Sequence, residues 1–359
     1  MGKINCFIIC LIISLNCFGQ KNEDSLFFAK MPAKYINILQ EVSPQKQSIP
    51  FTDVDVIDDR FDTSCVGFAY NAIKHSHEKV SLQTSANAQV KNFILKNYIT
   101  VDTSKNSWKL LVIIQKMWIT NVAIIDSEKS ASSDKSYITQ SNLFISAKLM
   151  AEKNDSFCAL YSIDSVLVFY KQKADKDFYF IQQGIDLLLN NIANKQISEI
   201  KMHKRYFTKN EIVDYFFQQR QISILTDTIY KKGVFKTFEE FKQNLPSITD
   251  FEVSYSDKTD ELYVKDEKGT NYLLKDFWGF SDGRKLFVNQ ANNFFELCKN
   301  ESTFYVNGFK SLTKGKYEKF LNYVKNYYLL DIIGNPLGSV KYEGFKIPLQ
   351  LDMETGELF

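Results

Sequence analysis

Three apolar runs follow one another between residues 108 and 170, and they restrict the fold more than any other feature. Trp108-Lys-Leu-Leu-Val-Ile-Ile114-Gln-Lys-Met-Trp118-Ile-Thr120 reads as a long, mostly buried strand. Asn142 to Met150 and Cys158 to Tyr170 read as two more, and a polar, serine-rich tip over 124–137 joins the first pair. Strands adjacent in sequence favour antiparallel pairing, and helices flanking such a run must cover one face of the sheet.

Two flanking helices are expected. Val80, Ala86, Val90, Phe93, Ile94 and Tyr98 recur at three- and four-residue steps, predicting a helix over 80–98. Tyr179, Ile181, Ile185, Leu188, Leu189, Ile192 and Ile197 form the apolar stripe of a second, over 175–200. Phe51-Thr-Asp-Val54-Asp-Val56-Ile57 alternates and predicts an opening strand. The expectation for 51–200 is an α+β sandwich: a mostly antiparallel sheet packed with two helices.

The remainder differs in texture. Residues 20–50 read as a linker or arm, with weak helical periodicity over 25–40 and a proline-bounded polar stretch at Ser43–Pro50. Thr208-Lys-Asn-Glu211 fits a capping box, so 201–224 is expected to be a connecting helix running through Tyr215, Phe216 and Phe217. A second box, Thr237-Phe-Glu-Glu240, starts a short helix that Pro246 ends. Short strands separated by Asp and Gly turns follow, at 251–255, 261–265, 271–275, 285–288 and 303–306. They predict a smaller β-rich module over 225–330, meander-like or barrel-like, with a tyrosine-rich helix at 313–330. Residues 331–359 are expected to be a tail with turns at Asn335-Pro336 and Thr355-Gly356.

The N-terminus predicts export. Lys3 supplies a cationic head, Ile4 to Leu15 an apolar core, and Cys17 and Gly19 the small residues that a signal peptidase reads. Cleavage before Gln20 makes 1–19 a signal peptide. The apolar run falls short of the roughly 20 residues of a membrane-spanning helix, and no later segment is apolar and long enough. Lipidation of Cys17 is an open alternative, although Leu15-Asn16 is a poor context for it. The expected location is the periplasm, the outer membrane's periphery or the exterior.

Composition excludes several function classes. The 44 basic and 42 acidic residues nearly cancel, which removes any bulk drive toward nucleic acid. The basic patches Lys201 to Tyr206 and Lys231-Lys232 read as solvated surface. Cys65, Cys158 and Cys298 are odd in number and far apart, so they fit three buried thiols or one bridge plus a free thiol. No Gly-x-Ser-x-Gly elbow and no phosphate-cradling glycine loop occurs. Three histidines are a thin supply for acid–base work, and His75-Ser76-His77 lacks further ligands for a metal. No cofactor is expected.

Two clusters are candidate surface or ligand sites. Asp58-Asp59-Arg60, flanked by Asp53, Asp55 and Asp62, is dense in carboxylates but lacks the spacing of a calcium loop. Its bland reading is a solvated strand end in which Arg60 pairs with its neighbours. Trp278-Gly-Phe-Ser-Asp282-Gly283 joins aromatics to an Asp-Gly turn. It reads either as a ligand rim or as core packing, packing being the commoner use.

The signal ending Cys17-Phe-Gly-Gln20 and the Lys-, Asn-, Phe- and Tyr-rich chain resemble secreted and envelope proteins of Bacteroidota. Asp55-Val-Ile-Asp58-Asp59-Arg60 with Gly67, and the elements after it, resemble outer-membrane lipoproteins of the YajG type over roughly 50–200. Residues 233–242 and 278–283 resemble a module of other proteins of those bacteria. No activity follows from these resemblances. The expected function is non-catalytic binding or assembly support in the envelope, through sheet surfaces that contact another envelope protein or a surface component. The alternative is an envelope hydrolase using paired carboxylates drawn from Asp58, Asp59 and the surroundings of Asp282.

Overall fold

A computed structural model describes residues 31–38, 48–71, 76–99, 108–125, 137–171, 179–203, 205–255, 260–266, 268–290, 293–300, 302–306 and 349–358. The chain is mixed α and β, with strands predominating. It divides into two compact units, the first spanning Pro32–Arg220 and the second starting at Gln221.

The first unit is built on one eight-stranded sheet. Its strands are β1 (Ala33–Ile36), β2 (Asp53–Asp58), β3 (Gly67–Asn71), β4 (Ser76–Leu82), β5 (Lys109–Ile125), β6 (Tyr137–Lys153), β7 (Ser156–Lys171) and β8 (Tyr206–Thr208). β5, β6, β7 and β8 are antiparallel in sequence order. The other edge of β5 is shared. β2 pairs with Lys109–Ile114 in parallel, and β3 pairs in parallel further along, at Ile119 and Thr120. β4 lies antiparallel to β3, and β1 parallel to β4. The sheet is thus mixed, antiparallel on one side and partly parallel on the other.

Helices cover both faces. α1 (Ala86–Asn97) and α2 (Tyr179–Leu189) bury Val90, Phe93, Ile94, Ile181, Ile185 and Leu188 against Leu110, Val112, Ile145, Ala147 and Leu149. On the opposite face α3 (Lys209–Arg220) sets Ile212 and Phe216 on Leu111, Ile113, Met150 and Phe157. Double coverage explains the unbroken apolar run from Leu110 to Ile114: odd and even positions of β5 each meet a helix.

Several expectations need correction. The first helix starts at Ala86, because Ser76–Leu82 is a strand paired to β3. The second ends at Leu189, after which Ile197–Glu199 forms only a 3-10 turn. The 20–50 arm is no spacer at Ala33–Ile36, where β1 extends the sheet. The helix of 201–224 is not a connector: it ends at Arg220, and its Ile212 and Phe216, one turn apart, complete the core of the first unit. Ile124, Ile125 and Tyr137 belong to strands rather than to the hairpin tip, and 126–136 lies outside the described residues.

The second unit holds α4 (Ser223–Thr226), β9 (Gly233–Phe235), α5 (Phe238–Lys242) and two sheets. One sheet is the meander β10 (Phe251–Tyr255), β11 (Asp260–Lys265) and β12 (Asn271–Leu274). The other orders β17 (Leu349–Gln350), β16 (Thr303–Val306), β15 (Asn293–Asn300), β14 (Leu286–Gln290), β13 (Gly279–Ser281) and β9. Val234, Leu262, Val264, Phe277 and Phe280 form the core they share, with Phe251, Phe287 and Phe294 packed against it. The C-terminal stretch is not a tail at 349–358: β17 pairs with β16, and Leu351, Met353 and Leu358 are buried. The helix expected at 313–330 and the Asn335-Pro336 turn lie outside the described residues.

Candidate binding site

The carboxylate cluster at the end of β2 resolves into separate structural pairs. Asp55 pairs with Lys91 of α1, and that hydrogen bond holds its carboxyl below the usual range. Both oxygens of Asp58 accept from Arg60, at 2.7 and 2.8 Å. Arg60 also donates to the Cys65 carbonyl at 2.7 Å, and it is 4% exposed, so this strand end is not solvated. Asp59 accepts from Arg220 at 2.6 Å, tying the last turn of α3 to β2. Asp62 is buried, accepting from the Ser64 N–H and the Cys65 thiol. These groups lie where β5 exchanges β2 for β3. Asp59 N–H bonds to Ile114 O, Ile119 N–H bonds to Val66 O, and Gln115 between them is a bulge. Gly67 enters that junction with φ of +136° and its Cα against the Ile119 carbonyl, 2.0 Å from where a Cβ would stand. No other residue fits there.

Among the described residues no cluster of histidine, cysteine or acidic side chains could hold a metal. His75 and the side chain of His77 lie outside the described residues. Cys65, Cys158 and Cys298 are free and buried. Burial pushes the Cys65 thiol up to about 12, which suits a packed group rather than a nucleophile.

The Trp278–Gly283 string splits between packing and turn. Trp278 stacks against Phe241 of α5 at 4.2 Å and donates its indole N–H to the Gly356 carbonyl at 3.3 Å. Phe280 lies in the shared core. Asp282 Oδ1 accepts the N–H groups of Arg284 and Lys285, both at 2.7 Å, closing the β13–β14 turn. Asp58 and Asp282 thus both carry structural contacts, one to Arg60 and one to the turn it closes.

A concavity with mixed chemistry lies elsewhere, in the first unit, between α3 and the sheet. It encloses about 700 Å³. Its floor is Ile113 of β5 and Met150 of β6, with Ile212 and Phe216 of α3 and Phe207 of β8 along one side. Ala159, Tyr161 and Ser162 bring in β7. The charged lining comes from Lys148, Arg205, Glu211 and Asp214, and His203 adds an imidazole.

Local structure positions these groups. The reciprocal cap starts α3: Glu211 N–H donates to Thr208 Oγ1 at 3.2 Å, and Thr208 N–H donates to the Glu211 carboxylate at 2.7 Å. Those bonds hold the Glu211 carboxyl below its ordinary value. Beyond the cap, Tyr215 is 49% exposed and carries the Lys148 ammonium 5.6 Å over its ring. The Arg205 guanidinium sits 4.7 Å over Phe207. Neither cation makes an ion pair with a described residue. Apolar floor, exposed aromatics and a few charges are the make-up of a binding surface.

β7 borders this groove with an open edge. β8 pairs only with Ser156–Cys158, and the His203 N–H reaches the Ala159 carbonyl. From Leu160 to Lys171 no strand pairs with that edge among the described residues.

None of the groove residues is among the candidates read from the sequence, since Asp58, Asp59 and Arg60 are structural and Trp278 and Asp282 belong to the second unit. The one sequence signal was the cationic, aromatic run Met202 to Phe207, read as solvated surface; its His203, Arg205 and Phe207 line the groove. Comparison with known proteins adds no relative: no family model, no curated protein and no solved structure matches the chain.

Proposed function

We propose that this chain is a non-catalytic, exported binding protein of the cell envelope. In this reading 1–19 directs export, the antiparallel side of the first unit's sheet and α3 present the binding surface, and the smaller β-rich second unit is a companion module. The partner is another envelope protein or a surface component. The observation that carries the reading is the groove under α3, where exposed Tyr215 and Tyr161 rim an apolar floor beside a strand edge with no partner among the described residues. Engagement of the groove's carboxylates or histidine in a reacting constellation is not needed. The compartment rests on the leader, the resemblance to Bacteroidota envelope proteins, and balanced charge.

A photo-crosslinking amino acid placed at Tyr215 of the tagged chain in its native cells tests this. Reproducible crosslinks to an envelope component, absent when the crosslinker is at exposed Tyr272 of the second unit, are expected. Fractionation of the chain with the cytoplasm, or crosslinks equal at both positions, would contradict the proposal.

A further inference from the structure

We infer that the groove takes an extended acidic peptide segment, added as a strand to the open edge of β7. The inference rests on the binding role proposed above and names the chemistry of the occupant.

Three features converge on it. The first is the edge. β8 pairs antiparallel with the start of β7 and then leaves it, so an incoming strand continues the same ladder from Leu160 onward. Exposed edges of this kind offer a row of backbone donors and acceptors to an extended partner. Along Leu160–Lys171 the only charges are Asp164 and Lys171, so the edge carries little of the charge that commonly blocks strand addition.

The second is charge. Lys148 and Arg205 are fixed over the rings of Tyr215 and Phe207 and make no ion pair with a described residue. Arg205 also lies close enough to lower the Glu211 carboxyl, but that carboxylate is bonded to Thr208. A cation held on an aromatic face keeps its charge and is already oriented, so a carboxylate from a partner meets a prepared site.

The third is the floor. Ile113, Met150 and Phe216 lie beneath the cations, and Met in particular adapts to varied apolar side chains. A strand alternates its side chains, so every second residue faces the groove, where acidic ones meet Lys148 and Arg205 and an apolar one in that same row enters the floor. Glu211 and Asp214 on the helix side disfavour a second acidic row there.

The test uses the full chain and a fluorescein-labelled, end-blocked peptide of about ten residues in which glutamate and valine take turns at every second position with threonine between them, read by fluorescence anisotropy. Its counterpart has lysine in place of each glutamate. The acidic peptide should bind at least about tenfold more tightly. That preference should be lost or reversed by Lys148→Glu with Arg205→Glu, two substitutions outside the core whose fold is checked by circular dichroism. An acidic peptide N-methylated at alternate backbone nitrogens should lose binding, because it cannot complete a ladder. Equal affinity for the two peptides, or no binding of the acidic one, would overturn the inference. So would full binding of the N-methylated peptide, or laurate displacing the peptide through the same two cations, which would mark an anionic amphiphile as the occupant. Envelope crosslinks from Tyr215 together with a failed peptide would reject only the peptide chemistry and leave the binding role standing.

Discussion

Arg60 shows how much a single side chain decides in this fold. Its guanidinium occupies both oxygens of Asp58 inside the junction between β2 and β3. Arg60→Met leaves that carboxylate, 13% exposed, without its partner. Loss of about 3–5 kcal/mol is expected from urea unfolding, the usual cost of stranding one member of a buried pair. Asp186 works in the opposite sense. Burial raises its carboxyl above the ordinary value, and the hydroxyl of Tyr98 that donates to it only partly offsets this. A raised folded-state value means the fold favours the protonated form. The stabilisation is therefore fully present below the ordinary carboxylate pKa and is lost as pH rises through the raised one. Asp186→Asn keeps an acceptor for Tyr98 and removes the ionisation. The urea midpoint of the unsubstituted chain should fall relative to that of the variant as pH rises across that window. Neither role could be read from sequence. Asp58-Asp59-Arg60 stood out as charged, but the contacts that hold it, Arg60 to the Cys65 carbonyl and Asp59 to Arg220 of a distant helix, carry no local pattern.

At the scale of elements, the sequence was most legible where periodicity was long. β5, β6 and β7 lie where the apolar runs lie, and both capping boxes start helices, the second with Glu240 N–H on Thr237 Oγ1 at 3.2 Å. Short elements were missed for a physical reason. β1, β8, β9, β13 and β17 have two to four residues each, too few for alternation to register, and pairing partners alone make them strands. The groove was missed because it is assembled from β5, β6, β7, β8 and α3, and no motif announces that these elements meet. A close approach that sequence does not announce sits in α2. A Cβ on Gly184 would stand 2.8 Å from Leu143 Cδ2 and 2.9 Å from Ile145 Cδ1. Gly184→Leu should cost about 1–3 kcal/mol by forcing α2 off β6. Gly184→Ala should cost less, since those terminal methyls can yield and alanine favours the helix by about 1 kcal/mol. Thermal unfolding of the two variants separates the effects.

For the whole molecule, the two units differ in what they offer. The first has a doubly covered sheet, with β7 lacking a partner strand from Leu160 among the described residues, and a groove; the second closes aromatic cores around Phe280 on one side of its larger sheet and Phe241 on the other. The Trp278 string, read either as a ligand rim or as core packing, serves that closure. The binding role proposed above accordingly falls to the first unit. Hydrogen exchange of the full chain, with and without the glutamate–valine peptide, tests this most directly. The account predicts new protection of amides along Leu160–Lys171 and around Tyr215, with the β10–β12 sheet unchanged. Protection confined to the second unit, or none along β7, would contradict it.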